Sequence, residues 1–205
     1  MFAARPPLVY STAKEPRVNE QGRAVIESYA GRTVLGIGAH PDDLELGVGG
    51  TLALLRQAGA RVVMAIVSVP SQLEERRAEA ARAAALLGCE LRFMFADRCR
   101  RVEDLKSYEL VGALDALIDE YEPAAVLTHG TANYHGDHVL VYNACLAGER
   151  VGYYDLFCYY PTSTRPIPVA FWPQAFVDIS DTLETKMKAI SEPARPFACR
   201  QRGAE

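Results

Sequence analysis

The sequence lacks any apolar run near the roughly 18 residues that a membrane-spanning helix needs, so no span is expected. Its N-terminus, MFAARPPLVYSTAKEPR, also lacks the continuous apolar region of a signal peptide. A strong charge of one sign is missing too: the net charge is −4 and the pI is near 5.6. This mild acidity gives no electrostatic reason to expect nucleic-acid binding. We therefore expect a cytoplasmic protein.

Paired cysteines are also lacking. The five cysteines are odd in number, and no two of them form a CxxC pair. This pattern argues against a disulfide framework and against a thiolate zinc site. We expect the cysteines to be reduced structural residues.

Strand-like and helix-like segments alternate along most of the chain. Strands are predicted at residues 33–38, 61–69, 91–95 and 124–128, and helices at 49–58, 72–87, 105–120 and 139–147. Weaker signals predict strands at 153–160 and 175–179, a loop at 161–173 and a last helix at 182–190. No repeat or linker divides the 205 residues. The pattern predicts one α/β domain, with a mostly parallel sheet flanked by helices.

All four histidines of the sequence lie in two short segments. The first segment, Ala39-His40-Pro41-Asp42-Asp43, directly follows the first predicted strand. The second covers residues 128–138, at and after the end of the fourth strand, and holds the other three histidines. Ligands of open α/β sheets bind beyond the carboxyl ends of the strands. The sequence therefore predicts a functional site where these two segments meet.

The residue types in these segments suit a catalytic metal. Zinc enzymes use three protein ligands drawn from His, Asp, Glu and Cys, and keep one position for water. His40 and Asp43 lie three residues apart in one loop, and His138 from the other segment is the natural third ligand. The same set also suits ferrous iron, so Zn²⁺ is expected and Fe²⁺ remains an alternative.

The remaining polar residues suit a hydrolytic reaction. Asp42 is the candidate base that takes a proton from the metal-bound water, whose pKa the cation lowers. A protonated His135 could stabilise an oxyanion or protonate a leaving nitrogen, with Asp137 holding its tautomer. His129 could do either task instead, contact substrate, or support the site from behind. A dinucleotide loop is disfavoured, because Pro41 and Asp42 fall where the third glycine of GxGxxG belongs.

Two motifs carry a resemblance to a known family. AHPDDLELGVGG, at residues 39–50, resembles the signature of the LmbE-like (PIG-L) deacetylases, and HGDH, at 135–138, resembles their second motif, usually HPDH. The helix between them resembles the family's R-x-x-E…A…L-G pattern through Arg76, Glu79, Ala83, Leu87 and Gly88. The resemblance covers roughly residues 33–145 and implies a three-layer Rossmann-like fold.

The resemblance also implies an activity. It is that of a zinc-dependent hydrolase that removes an N-acyl group, normally acetyl, from an amino-sugar conjugate. The metal ligands it implies are His40, Asp43 and His138. Asp42 matches the general base, and His135 matches the histidine that assists at the oxyanion, with Asp137 as its partner. Arg76 resembles a residue that contacts substrate.

Other expectations concern the pocket and the chain's end. Asp97, after the third strand, and His129 are further candidate substrate contacts. Gly136 replaces the usual proline and loosens the turn that presents His138. The C-terminal end does not resemble the family and is expected to be shortened or divergent. Homo-oligomers are common among such proteins and are an expectation here.

Three rival functions remain open at the level of sequence. The same residues would serve a metal hydrolase that cleaves another bond, such as an N-glycoside or an ester. An inactive metal-binding member of the family is the second, although Asp42 and His135 would then have no task. A nucleotide-binding module, disfavoured by the glycine spacing, is the third.

Overall fold

The computed structural model describes residues 17–131, 133, 135–159 and 172–191. Its strands are β1 Thr33–Gly38, β2 Arg61–Ser68, β3 Glu90–Phe95, β4 Ala125–His129 and β5 Asp155–Tyr159. Its α-helices are α1 Arg17–Glu27, α2 Asp43–Gln57, α3 Leu73–Leu87, α4 Ser107–Tyr121, α5 Gly136–Gly148 and α6 Leu183–Ser191. Single 3₁₀ turns lie at Val102–Asp104 and Ser180–Thr182.

The five strands form one parallel sheet in the order β3-β2-β1-β4-β5. Val34 of the central strand β1 lies opposite Val62 of β2 on one side and opposite Ala125 of β4 on the other. The chain builds the sheet outward from β1 in one direction and then returns to add β4 on the opposite side. The loops after β1 and β4 diverge at this switch point, which leaves a crevice between them.

Alternate side chains of the central strands enter two separate cores. Val34 and Val62 lie in the core beneath α1, α2, α3 and α6, whereas Leu35 and Val63 lie in the core beneath α4 and α5. This period of two is what a sheet covered on both faces requires. The α/β class and the three-layer arrangement expected from the sequence are confirmed.

The element boundaries differ from the prediction mainly in α2 and near the C-terminus. Helix α2 begins at Asp43 rather than at residue 49, so it includes three glycines that are poor helix formers. The predicted strand at 175–179 is wrong: this segment pairs with no strand of the described residues, and the carbonyl of Phe176 lies against Gly22 of α1. An apolar run that packs on helices has the same pattern as a short strand.

Three further outcomes concern the helices and one loop. Helix α1 was not predicted. Most of the loop predicted at 161–173 falls outside the described residues. Within those residues, no helix is long and apolar enough to cross a membrane.

Candidate metal centre and active site

The site lies at the switch point, in the loops after β1 and β4. Asp42 has φ of +93°, a left-handed conformation that costs free energy for a residue other than glycine. This turn starts α2, so Asp43 is the first helical residue and its carboxylate benefits from the helix N-terminus. Oδ2 of Asp43 also accepts a hydrogen bond from the backbone N–H of His40, at 2.8 Å. Backbone geometry therefore turns Asp43 back toward His40.

Three side chains converge as a candidate metal-binding group. One ligand atom from each of His40, Asp43 and His138 lies within 4.8 Å of the others. Nε2 of His138 is 3.2 Å from Oδ1 of Asp43, and Nδ1 of His40 is 3.7 Å from Oδ2. Two imidazoles and one carboxylate are a donor set that binds zinc and leaves a coordination position open. The residues present therefore fit the metal that the sequence predicts.

The charge state of Asp43 suits this role. Burial alone would raise the pKa of its carboxyl, but the neighbouring imidazoles of His129 and His138 outweigh burial and hold the pKa well below its usual range. The carboxylate therefore remains ionised, as a metal ligand must be.

Asp137 contacts a different histidine from the one expected. Its Oδ2 lies 2.8 Å from Nε2 of His40, whereas its backbone N–H bonds to His135. The same carboxylate accepts hydrogen bonds from the backbone N–H groups of Val102 at 3.2 Å and Glu103 at 3.0 Å. When Nε2–H of His40 donates to Asp137, Nδ1 is left unprotonated and faces Asp43. Such a carboxylate–histidine pair orients a ligating imidazole and raises its basicity.

His135 lies at the N-terminus of α5, at the exposed side of the cluster. Its Nδ1 accepts the Asp137 backbone N–H at 3.3 Å, so the neutral ring carries its proton on Nε2. Burial, followed by the charges of His138 and His40, lowers the pKa of His135. The sequence predicted a protonated imidazolium, but these surroundings favour a neutral ring with one N–H to donate.

Arg76 reaches the site but is already engaged by protein groups. Its Nη2 donates to Oδ2 of Asp42 at 2.8 Å and to the carbonyl of Pro41 at 2.6 Å, and its Nη1 donates to Glu79 at 3.0 Å. Burial raises the pKa of Asp42, and the hydrogen bond from Arg76 opposes this rise. The guanidinium is placed to orient Asp42, in addition to any contact with substrate.

His129 and Asp97 lie where direct contact with substrate is not favoured. His129 is only 2% exposed and is enclosed by Ala39, Asp43, His138 and Tyr159. Asp97 is exposed on the loop after β3, where Arg100 donates to both of its carboxylate oxygens at 2.6 and 2.8 Å. The roles of both residues toward substrate remain predictions.

Sequence reasoning missed two buried groups beside the site. Glu45 follows the Asp pair on α2, its Oε2 has no partner among the described residues, and burial raises the pKa of its carboxyl to about 7. Tyr159, the last residue of β5, places its hydroxyl 3.2 Å from Nε2 of His129. The only sequence signal for Tyr159 is Gly47, whose missing side chain makes room for the tyrosine ring.

Comparisons with known proteins identify the family of this chain. A family model described as PIG-L, GlcNAc-PI de-N-acetylase, matches residues 35–148, more than half of the chain. The uncharacterized deacetylase YaiS of Escherichia coli K12 is 30% identical over 171 residues, which are 78% of this chain and 89% of YaiS. The chain therefore belongs to the PIG-L family of de-N-acetylases.

Solved structures share the fold at lower identity. The N,N'-diacetylchitobiose deacetylase of Pyrococcus horikoshii superposes with a TM-score of 0.66 at 22% identity, over 81% of this chain and 72% of that one. GalB, the 4-carboxy-2-hydroxymuconate hydratase of Pseudomonas putida, superposes with a TM-score of 0.67 at 21% identity, over 82% and 80%. The fold is thus shared by a deacetylase and a hydratase, so the reaction must be argued from the site.

Proposed function

We propose that this protein is a zinc-dependent hydrolase that removes an N-acyl group, in particular acetyl, from a small molecule containing an amino sugar. The observation that carries the proposal is the convergence of His40, Asp43 and His138, with the carboxylate of Asp42 close enough to interact electrostatically with Asp43 and His40. A purely structural metal site needs no such additional carboxylate. Membership of a de-N-acetylase family supports the choice of an amide as the bond that is cleaved.

In this proposal Asp42 is the base and Arg76 is the hydrogen-bond donor that orients it. When bound, zinc would polarise the acyl carbonyl and lower the pKa of water. In this proposal Asp42 takes the proton of the attacking water, and the rise of its pKa by burial supports that role because it raises the basicity of the carboxylate. Arg76 holds one oxygen of Asp42 and leaves the other free of hydrogen bonds from described residues.

His135 would have a different task from Asp42. It would stabilise the negative charge that develops on the carbonyl oxygen during the reaction. Its neutral ring accepts a backbone N–H at Nδ1, so Nε2–H is available to donate a hydrogen bond to that oxygen. The proton that the departing nitrogen needs is then the one that Asp42 takes from the water. Asp137 acts indirectly, because its carboxylate holds the ring of His40, one of the proposed metal ligands. The base, the hydrogen-bond donor and the support of a ligand are thus three different residues.

The substrate class rests on the relatives. The matching family model is described by a GlcNAc-containing substrate, and a protein of similar fold is named for diacetylchitobiose. We propose an N-acetylated amino-sugar conjugate on this support, with Fe²⁺ as the alternative metal. We keep self-association as part of the proposal, and sizing the purified protein by light scattering tests it.

Replacing Asp42 with Asn tests the proposed base directly. Asp42→Asn should keep about one zinc per chain, because Asp42 is not a ligand, and should lower turnover by about 10²- to 10⁴-fold. Zinc is measured by elemental analysis, and turnover by amine release from N-acetylglucosamine conjugates. Asp119→Asn is the matched control on the exposed face of α4 and should behave as the wild type. Full turnover in Asp42→Asn would exclude Asp42 as the base.

A metal-dependent reaction at another bond is the second candidate. The similar fold of GalB, a hydratase, supports it, because the same crevice can serve other additions of water. Bound zinc together with chelator-sensitive turnover of esters, N-glycosides or enols, without amine release from N-acetyl sugars, would favour this candidate over deacetylation.

A further inference from the structure

We infer that Tyr159 and His129 form a buried positioning pair that holds the metal ligands His138 and Asp43 in place. The inference rests on the proposed zinc site and extends it to residues that no ligand motif includes. Both side chains lie behind the ligands: His129 is 2% exposed and Tyr159 is 7% exposed. Because both side chains are buried, we expect any effect on the reaction to pass through the ligands.

His129 contacts both loops of the site at once. Its ring stacks on that of His138, with centroids 3.9 Å apart and planes inclined by 12°. Its Nε2 lies 3.0 Å from the backbone nitrogen of Ala39 and 3.3 Å from Oδ2 of Asp43. One imidazole therefore links the end of β1, the start of α2 and the first turn of α5.

Tyr159 holds His129 from the far side. Its hydroxyl is 3.2 Å from Nε2 of His129 and 3.3 Å from the carbonyl of Ile37, and its ring centroid is 4.9 Å from that of His129. Burial raises the pKa of Tyr159 well above its usual value, so the hydroxyl keeps its single proton, which it can donate to Nε2 of His129 or to the carbonyl of Ile37. The edge strand β5 is thereby connected to the metal ligands through two side chains, Tyr159 and His129.

The sequence of α2 accommodates this tyrosine. A Cβ atom at Gly47 would lie 2.6 Å from Cδ2 and 2.8 Å from Cε2 of the Tyr159 ring, closer than Cβ atoms approach their neighbours in real proteins. Glycine is unfavourable inside a helix, so its presence there needs a local reason. The close approach of the Tyr159 ring supplies that reason. Groups that support metal ligands in this way are known to tune metal affinity.

Removing one hydroxyl tests the pair. Tyr159→Phe keeps the ring and should weaken zinc binding about tenfold, because His129 loses its partner. Zinc affinity is measured by competition with a chromophoric chelator. The matched control is Tyr29→Phe, which removes the hydroxyl that bonds to Asp155 at 2.6 Å, at the other end of β5. The control should bind zinc as the wild type does.

A double substitution shows whether Tyr159 acts through His129. His129→Phe keeps an aromatic ring beside His138 but removes Nε2, and it should also weaken zinc binding. Adding Tyr159→Phe to it should cause no further loss, because the hydroxyl no longer has a partner to hold. Wild-type affinity in Tyr159→Phe, or losses that multiply in the double variant, would overturn the inference.

Zinc affinity, measured together with amine release, separates this inference from the proposed reaction. A wild-type chain that binds zinc but releases no amine would contradict deacetylation alone. Wild-type zinc affinity in Tyr159→Phe, alongside amine release by the wild type, would contradict the positioning pair alone. A wild-type chain that binds no zinc would overturn both.

Discussion

Arg76 illustrates how hydrogen-bond partners define the task of a residue. Its guanidinium joins the carbonyl of Pro41, the carboxylate of Asp42 and the carboxylate of Glu79, which is only 7% exposed. A buried Glu79 needs a cation, and Arg76 provides it while holding Asp42 in its left-handed turn. The helix motif R-x-x-E thus has a structural reason within this molecule.

Substituting Arg76 separates positioning from substrate binding. Arg76→Ala should lower kcat by about 10- to 100-fold, because Asp42 loses its orientation, and should leave KM nearly unchanged. Steady-state kinetics on an N-acetylglucosamine conjugate measure both constants. Arg77→Ala is the control, since Arg77 lies on the same helix but donates to the carbonyl of Ala96, at 3.1 Å. A large rise in KM with unchanged kcat would show that Arg76 acts as a substrate contact instead.

Some residues of the site follow from sequence and others do not. His40, Asp43 and His138 could be predicted, because all histidines cluster at two strand ends and strand ends meet at the switch point. The contact of Asp137 with His40 could not be predicted, because the two residues are 97 positions apart in the chain. His135, which is only two positions from Asp137, was the partner that the sequence predicted. The contact of Tyr159 with His129 could not be predicted either, because a tyrosine at a strand end usually belongs to the core.

Helix α2 shows why element boundaries are harder to predict than elements. Gly47, Gly49 and Gly50 lower its intrinsic helix propensity, so the sequence pattern placed its start among them. In the structure these glycines lie where Tyr159, Lys186 and Ile179 approach the helix. Tertiary packing thus compensates for poor propensity, and this information is absent from the local sequence. Strands β1, β2 and β4 were predicted closely because fully buried strands are continuous apolar runs.

Two glycine-to-alanine substitutions test this packing. One is expected to lower the free energy of unfolding and the other to raise it. A Cβ at Gly50 would lie 2.7 Å from Cδ1 and 2.8 Å from Cβ of Ile179, so Gly50→Ala should lower the free energy of unfolding by about 1–3 kcal/mol. Gly112 lies on α4, where an added methyl group would meet no neighbour within 4 Å among the described residues, so Gly112→Ala should raise it by about 0.5–1 kcal/mol. Urea unfolding of the metal-free protein, after treatment with a chelator, measures the free energy of unfolding of both variants. A stabilised Gly50→Ala variant would contradict the close packing of Ile179 on α2.

At the scale of the whole molecule, the sheet order explains why one site collects so many polar residues. Strand β1 lies between β2 and β4, and the chain leaves its end toward α2 while β4 leads into α5. The crevice at this switch point receives the start of two helices, so it receives their capping residues as well. A metal there would connect the loop after β1 to the loop after β4, two segments that lie far apart in the chain.

The most direct test combines metal content with amine release. The purified protein should contain about one zinc per chain, release free amine from an N-acetylglucosamine conjugate, and lose this activity when a chelator removes the metal. His138→Ala should lose both the zinc and the activity. A protein that binds neither zinc nor iron after reconstitution would contradict the assignment of His40, Asp43 and His138 as ligands, and with it the central claim.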